Sequence, residues 1–448
     1  MNQTTLYDEK YASFLTTQCL PTNRKRPIVI LYKSKALKPF ATLIMKKAKR
    51  RGFQSIFLFN NSEYEKKEYL DQTKLKDIKQ ESYFDLSHLE YCAKNSGFQL
   101  QIETFEESYP KKIDPAKEEK ASYLCEKQLN LYFEYTSNLK CPGTVAIYPT
   151  RTWAKKLFPE LPVEEAFIKL YQQIMEMCLL ETEDPCKAWN QLKENHMQTI
   201  RKLNQLKIKK LHYQNHLGTN LTISLPENHL WLGSFEKDYF GNDFIYNVPS
   251  YEAFTSPIYY QTEGTVFSTK PLVLHRHNNY IVDHFGLEFH HGAVKKILVD
   301  KDEDYQVIKD FLNTDPHARY LGECALVEQD TPVSKTNTLY YHALLDENAS
   351  CHLALGFPDT IPGGIEMDKR SLLDHGINTS STHLDFMIGS DDLEIIADTN
   401  KGKQLIYQKE YQGNSLKVKC KAHNWCKSEQ HLLASCSYSK QQSRDPPQ

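Results

Sequence analysis

Histidines and carboxylates at short spacing are the residues of this chain with the clearest chemical use. STHLDFMIGS reads as a strand, and a strand's period of two puts His383 and Asp385 on one face. A ring nitrogen and a carboxylate so placed either share a cation or hydrogen-bond to each other, and the segment alone fits both. LLDENASCHLALG is expected to form a helix capped by Asp346 or Asn348 and carrying Cys351, His352, Leu353 and Leu355, with Glu347 and His352 near its start. Acidic capping accounts for Asp346 and Glu347, because carboxylates stabilise the positive end of a helix, but it does not account for His352. Glu263 precedes GTVFSTKPL and Glu323 precedes CALV, so both are expected at strand ends, where sites are commonly built. Together these form a mixed imidazole and carboxylate set suited to Zn, Co, Mn or Mg. Two such ions ~3.5–4 Å apart need a bridging carboxylate or water. A site of this kind polarises a carbonyl and acidifies water, which is what hydrolysis requires.

The elements that must position these residues change character along the chain. Ile28–Tyr32 is a short β-rich run, Pro39 opens a helix with Phe40, Leu43, Ile44 and Ala48 at helical spacing, and a second strand is expected at Phe53–Phe59. This β-α-β order implies a parallel pair with a crossover helix. Glu63–Lys120 reads as solvated helix faces and loops, Val145–Tyr148 as a strand, and amphipathic helices follow from Pro162 and from about Pro185 to Gln205. From Ile208 the period becomes alternating, as in Leu221, Ile223 and Leu225, and strand and turn signals recur through Leu287, Phe289, Gly292 and Val294. Helices are expected near Tyr305–Asn313 and after Asp346. The fold class is therefore an α/β N-terminal domain followed by a mixed α+β, β-rich domain. The expected division is 1–206, 207–413 and a polar tail, 414–448, with a disordered end.

Composition narrows the function. The 55 Lys and Arg against 57 Asp and Glu leave a net charge of −2, which argues against a mainly electrostatic nucleic-acid binder. KSKALKPFA after the first strand has no glycine, so neither a dinucleotide fingerprint nor a phosphate loop sits there. No apolar stretch approaches the ~18 residues of a membrane span. The start of the chain lacks a signal-peptide pattern, and the 11 scattered cysteines fit reduced thiols. A cytoplasmic location without membrane or nucleic-acid partners is the expectation.

TEGTVFSTKPL, LGECALV, LYYHALLDENASCHLALG and THLDFMIGS, in that order, resemble the signature blocks of the thermophilic metalloaminopeptidase family, the aminopeptidase T and aminopeptidase S type. HLGTNLTISLP and NVPSYEAFTSP also resemble its pattern, and the similarity extends less densely over about residues 10–412. The resemblance implies a homodimeric enzyme with two divalent metal ions that removes the N-terminal residue of short peptides by a metal-held hydroxide. It implies Glu263, Glu323, His352, His383 and Asp385 as metal ligands and Glu347 as a ligand or the general base. Glu323 is expected to act in catalysis as well.

One departure matters. The family pattern has a tyrosine shortly after HLALG, whereas here the chain continues FPDTIPGG, about two residues shorter, with Phe357 or Asp359 near that place. Neither donates a neutral phenolic hydrogen bond, and loss of one such donor costs ~10²–10³ in rate. The alternative expectation is therefore a catalytically weak metal- and peptide-binding dimer. His275, His277, His284, His290 and His291 are expected to be exposed hairpin histidines. In the tail, Cys420, His423, Cys426, His431 and Cys436 match no common zinc finger.

Overall fold

Ile28–Tyr32 is buried along its whole length, as a strand covered on both faces must be, and it lies between two partners in a five-stranded parallel sheet whose central strand is Phe98–Glu103. The computed structural model describes residues 3–408 except 80–85, 108, 138, 275–276, 278–279, 329 and 359–367. In the sheet, Ile56–Asn60 and Phe98–Glu103 flank Ile28–Tyr32, and Gly143–Ile147 follows Phe98–Glu103. The crossover after the first strand is the helix Lys38–Arg50. It buries Phe40, Ala41, Ile44 and Ala48 and gathers Lys47, Lys49 and Arg50 in its last turn, where the helix dipole favours cations. Helices Val163–Met177 and Pro185–Leu206 bury the apolar stripes legible in their sequences.

The fifth strand of this sheet, Asn247–Val248, comes from far along the chain and pairs in parallel with Val145 and Ala146. The N-terminal core accordingly includes Phe235, Ile245 and Tyr251, and also Tyr340, Leu344 and Leu345. The later part of the chain is thus anchored on the parallel sheet at two places.

Beyond Leu206 the strands other than Asn247–Val248 pair antiparallel. A seven-stranded sheet has the order Ala293–Leu298, Gly286–His290, Glu263–Phe267, Asn220–Ser224, Lys210–Gln214, Glu394–Thr399, Gly402–Tyr407. A five-stranded sheet has the order His383–Met387, His352–Gly356, Leu321–Val327, Glu252–Thr255, Leu232–Gly233. Leu211, Tyr213, Leu221, Val266 and Phe289 of the first share one core with Cys324, Leu326, Leu353, Leu355 and Phe386 of the second. The described chain is a mixed α/β protein with a five-stranded parallel sheet and antiparallel sheets of seven and five strands.

The helix expected after Asp346 is not formed. A five-residue helix, Ala343–Glu347, ends before Asn348, and His352–Gly356 is a fully buried strand. HLALG in fact alternates, with Leu353 and Leu355 in the core and His352, Ala354 and Gly356 on the other face. Leucine is a strong helix former, and packing between neighbouring strands overrides that preference. The helix near residue 305 spans Asp302–Leu312, starting earlier than expected because Asp302, Glu303 and Asp304 occupy its first turn. Every cysteine among the described residues is a free thiol, most of them buried. Cys420, His423, Cys426, His431 and Cys436, like His275 and Asp359, lie outside the described residues.

Candidate metal centre

Strand register decides which side chains meet. Glu323 pairs with Ala354 and Ala354 with Asp385. Ala325 pairs with His352, Gly356 with His383, and Glu252 with Val327. Period-two alternation therefore puts Glu252, Glu323, His352, His383 and Asp385 on one face of the five-stranded sheet, opposite the leucine-rich core. The residues among them on that face, Ala325, Ala354 and Gly356, are small and leave room between the polar side chains.

Two groups of metal-ligating atoms result. Glu252, Glu323 and His352 form one, and Glu323, His383 and Asp385 form the other, with ligand atoms in each lying within 4.8 Å of one another. His352 Nε2 lies 3.4 Å from Glu252 Oε2 and 3.7 Å from Glu323 Oε1. His383 Nε2 lies 3.5 Å from Glu323 Oε2 and 3.0 Å from Asp385 Oδ1. The two oxygens of Glu323 are thus divided between the two imidazoles.

Both rings are aimed from behind. His352 Nδ1 lies 3.2 Å from the carbonyl of Ser350, and His383 Nδ1 lies 2.8 Å from the carbonyl of Phe357. A carbonyl only accepts, so each Nδ1 carries a proton, and each Nε2 is the ring nitrogen turned toward the carboxylates. Gly356 makes the second contact possible. Its φ of +103° turns the chain toward His383, and a Cβ there would come within 2.0 Å of the Thr382 carbonyl oxygen.

The site grades from closed to open. Glu252, Glu323 and His352 are buried, whereas the His383 side chain keeps 27% of its surface exposed. Burial opposes a charge on Asp385, but the charge and hydrogen bond of His383 hold its carboxyl below the ordinary value. Two imidazoles whose Nε2 atoms face three carboxylates are a donor set that fits divalent ions such as Zn, Mn or Co.

A cavity of ≈260 Å³ opens on the first group. Glu252, Glu323, His352 and Glu347 line it, with Leu232, Tyr246 and Phe254 as apolar and aromatic wall and Ser234, Asn247 and Ser250 as polar wall. Among the described residues that line it, Glu252, Glu323 and Glu347 are the carboxylates and there is no lysine or arginine. Tyr246 precedes the strand that joins the parallel sheet, and its carbonyl accepts from Val145 N–H at 2.7 Å.

Glu347 belongs to neither ligand group. It ends the short helix Ala343–Glu347, which the N-terminal layer holds in place. The buried Asp346 accepts from the N–H groups of Tyr340 at 2.7 Å and His342 at 3.0 Å, and Trp153 Nε1 donates to the Tyr340 carbonyl at 2.8 Å. Burial pushes Asp346 up to about 6 despite those two N–H bonds. His342 Nε2 lies 3.1 Å from Glu103 Oε2, at the carboxyl end of a parallel strand, and Lys33 Nζ lies 2.8 Å from Glu103 Oε1. Burial alone would raise Glu103, but His342 and Lys33 outweigh it and hold the carboxyl well below its usual range.

Glu263 is separated from this set. Val266 and Phe289 face the shared core, so alternation turns Glu263 and His290 to the outer face of the seven-stranded sheet. Glu252, which sequence reasoning did not single out, stands in the buried group instead. Both glutamates head a short strand, and no local feature separates them. Phe357 meets the site through its carbonyl, and the residue is 38% exposed.

The family model described as thermophilic metalloprotease (M29) matches residues 6–410. Aminopeptidase AmpS of Bacillus subtilis is 33% identical over 384 residues, covering 85% of this chain and 92% of that one. Aminopeptidase 2 of Geobacillus stearothermophilus is 36% identical over 297 residues, covering 66% and 69%. The structure of AmpT from Thermus thermophilus superposes with a TM-score of 0.77 at 24% identity, over 90% of this chain and 98% of that one, which speaks for the fold. With the family model covering nearly the whole described chain, the protein belongs to the thermophilic metalloprotease (M29) family.

Proposed function

We propose that the chain is a dinuclear-metal aminopeptidase that removes the first residue of short peptides with a free N-terminus. The observation that carries this reading is the division of Glu323, one oxygen toward each imidazole, at the closed end of an acidic cavity. Glu252 and His352 would hold one ion, His383 and Asp385 the other, and Glu323 both. When bound, such ions polarise the scissile carbonyl and acidify water.

The chain's own groups account for the rest. The cavity carboxylates attract the α-ammonium of a free N-terminus, and an acetylated terminus lacks that charge. Glu347, beside the ligand set and outside it, takes a proton from the attacking water. It returns that proton to the leaving amine as the C–N bond breaks. The limited volume and the walls Leu232, Tyr246 and Phe254 suit one small or apolar first side chain. The AmpS and aminopeptidase 2 relatives carry the same activity in their names.

The alternative of weak turnover is favoured by Phe357, whose contact with His383 uses its backbone and brings no hydroxyl. Against it stands Tyr246, a phenol on the cavity wall. The test is a matched panel of free and N-acetylated peptides, with and without chelator. Cleavage confined to free peptides and abolished by chelator supports the proposal. Equal cleavage of blocked and free peptides overturns it.

A further inference from the structure

The outer face of the seven-stranded sheet carries a second convergence of ligating groups, sharing no residue with the set above. Gly286–His290 and Ala293–Leu298 form a hairpin in which His290 pairs with Ala293, so His291 and Gly292 are its two-residue turn. Both have positive φ, +48° and +76°, the signature of the type I′ turn that matches strand twist. Asparagine is the usual residue at the first of these positions, and a histidine there accepts a less favourable backbone for its side chain. Glu263 heads the neighbouring strand, whose Gly264 pairs with Phe289.

The side chains converge on one point. Glu263 Oε2 lies 3.1 Å from His290 Nδ1, and Glu263 Oε1 lies 3.3 Å from His291 Nδ1. The His291 N–H donates to Glu263 Oε1 at 2.7 Å, which fixes the carboxylate from the backbone side. The imidazole centroids are 4.0 Å apart, and the ligand atoms all lie within 4.8 Å of one another. The histidines are exposed, as the sequence suggests, but two of them face one carboxylate across a rigid strand pair.

We propose that Glu263, His290 and His291 form a separate surface site for one exchangeable first-row transition ion such as Zn²⁺, Ni²⁺ or Cu²⁺. Two imidazoles and one carboxylate match those ions rather than Mg²⁺ or Ca²⁺. Three protein ligands on an exposed turn leave the remaining positions to solvent. The site is therefore open to chelators and fills independently of the buried set.

The test uses the full chain and Cu²⁺ or Ni²⁺ alone, counting bound equivalents by equilibrium dialysis with elemental analysis. Nitrogen coupling in the Cu²⁺ electron paramagnetic resonance spectrum gives a second readout. The double variant His290→Gln, His291→Asn removes both imidazoles and places asparagine where the turn favours it, so folding is retained and is checked by thermal melting. Loss of one equivalent relative to wild type is expected, with peptidase activity unchanged. Glu263→Gln should weaken the same equivalent by roughly tenfold or more. The difference should persist in a Glu323→Gln background. Equal metal content and identical spectra in wild type and the double variant would overturn the proposal.

Discussion

Glu323→Gln should change the sign of its effect on stability when metal is removed. Glu323 is 2% exposed, and its oxygens lie within 4.8 Å of ligand oxygens of Glu252 on one side and Asp385 on the other. At an effective dielectric of about 20, two unit charges at 4.8 Å repel by roughly 3.5 kcal/mol. Two such pairs meet at this one side chain, and His352 and His383 offset part of the repulsion. Neutralising Glu323 with an amide of the same shape should therefore stabilise the metal-free chain by about 1–3 kcal/mol. That corresponds to a rise of a few degrees in its melting midpoint. In the metal-loaded chain the effect reverses, because an amide has one oxygen to offer where two are divided. The variant should bind fewer ions, melt lower than loaded wild type, and lose about 10²-fold or more in kcat/KM, the several kcal/mol that metal charge supplies. Scanning fluorimetry of chelator-treated and metal-loaded samples, with elemental analysis of each, measures both arms. A Glu323→Gln chain that melts below wild type in both states, with unchanged metal content, would refute the reasoning.

Glu103→Gln should lower stability at neutral pH and not in strong acid. The folded-state carboxyl is held below its ordinary 4.5, so its contribution is present above that value and is lost as pH falls through the lower folded-state value. The gap between melting curves of wild type and variant should start to shrink below about pH 4 and close only in strong acid; a constant gap across the range would contradict the Glu103–His342 ion pair. The same variant should reduce kcat through Glu347 with little change in metal content, and equal losses of both would point to general unfolding. Tyr246→Phe should reduce kcat by about 10²-fold with KM little changed if the phenol serves the reaction, whereas a change in melting temperature alone would assign it to packing. Phe357→Tyr keeps the carbonyl that holds His383 and adds a hydroxyl, so turnover should rise by about tenfold or more; an unchanged rate would place the family tyrosine's counterpart elsewhere.

The sequence made the site visible where a residue's face follows from local spacing. His383 and Asp385 are two residues apart in an alternating strand, and their meeting at 3.0 Å is what that period requires. His352 stood out as unexplained in a capping segment, although its element was read as a helix. The alternation in HLALG was present and was masked by leucine, which serves helices and buried strands equally. Glu252 could not be distinguished from Glu263 because the difference is non-local. It lies in which sheet each strand joins and which face then meets the core. Three strands of the parallel sheet were legible from their apolar runs, but Phe98–Glu103 lies in the stretch read as solvated helix faces and loops, and Asn247–Val248 is two residues long and carries no periodicity. That short strand helps build the cavity wall, so the link between the N-terminal layer and the site emerges only from the folded chain.

The central claim is that one carboxylate serves two ions. Anomalous-difference maps from crystals grown with Zn²⁺ or Mn²⁺ test it most directly. Two peaks are expected on the five-stranded sheet, ~3.5–4 Å apart, one against Glu252 and His352, one against His383 and Asp385, and both against Glu323. A single peak, or a pair of peaks that does not share Glu323, would contradict it.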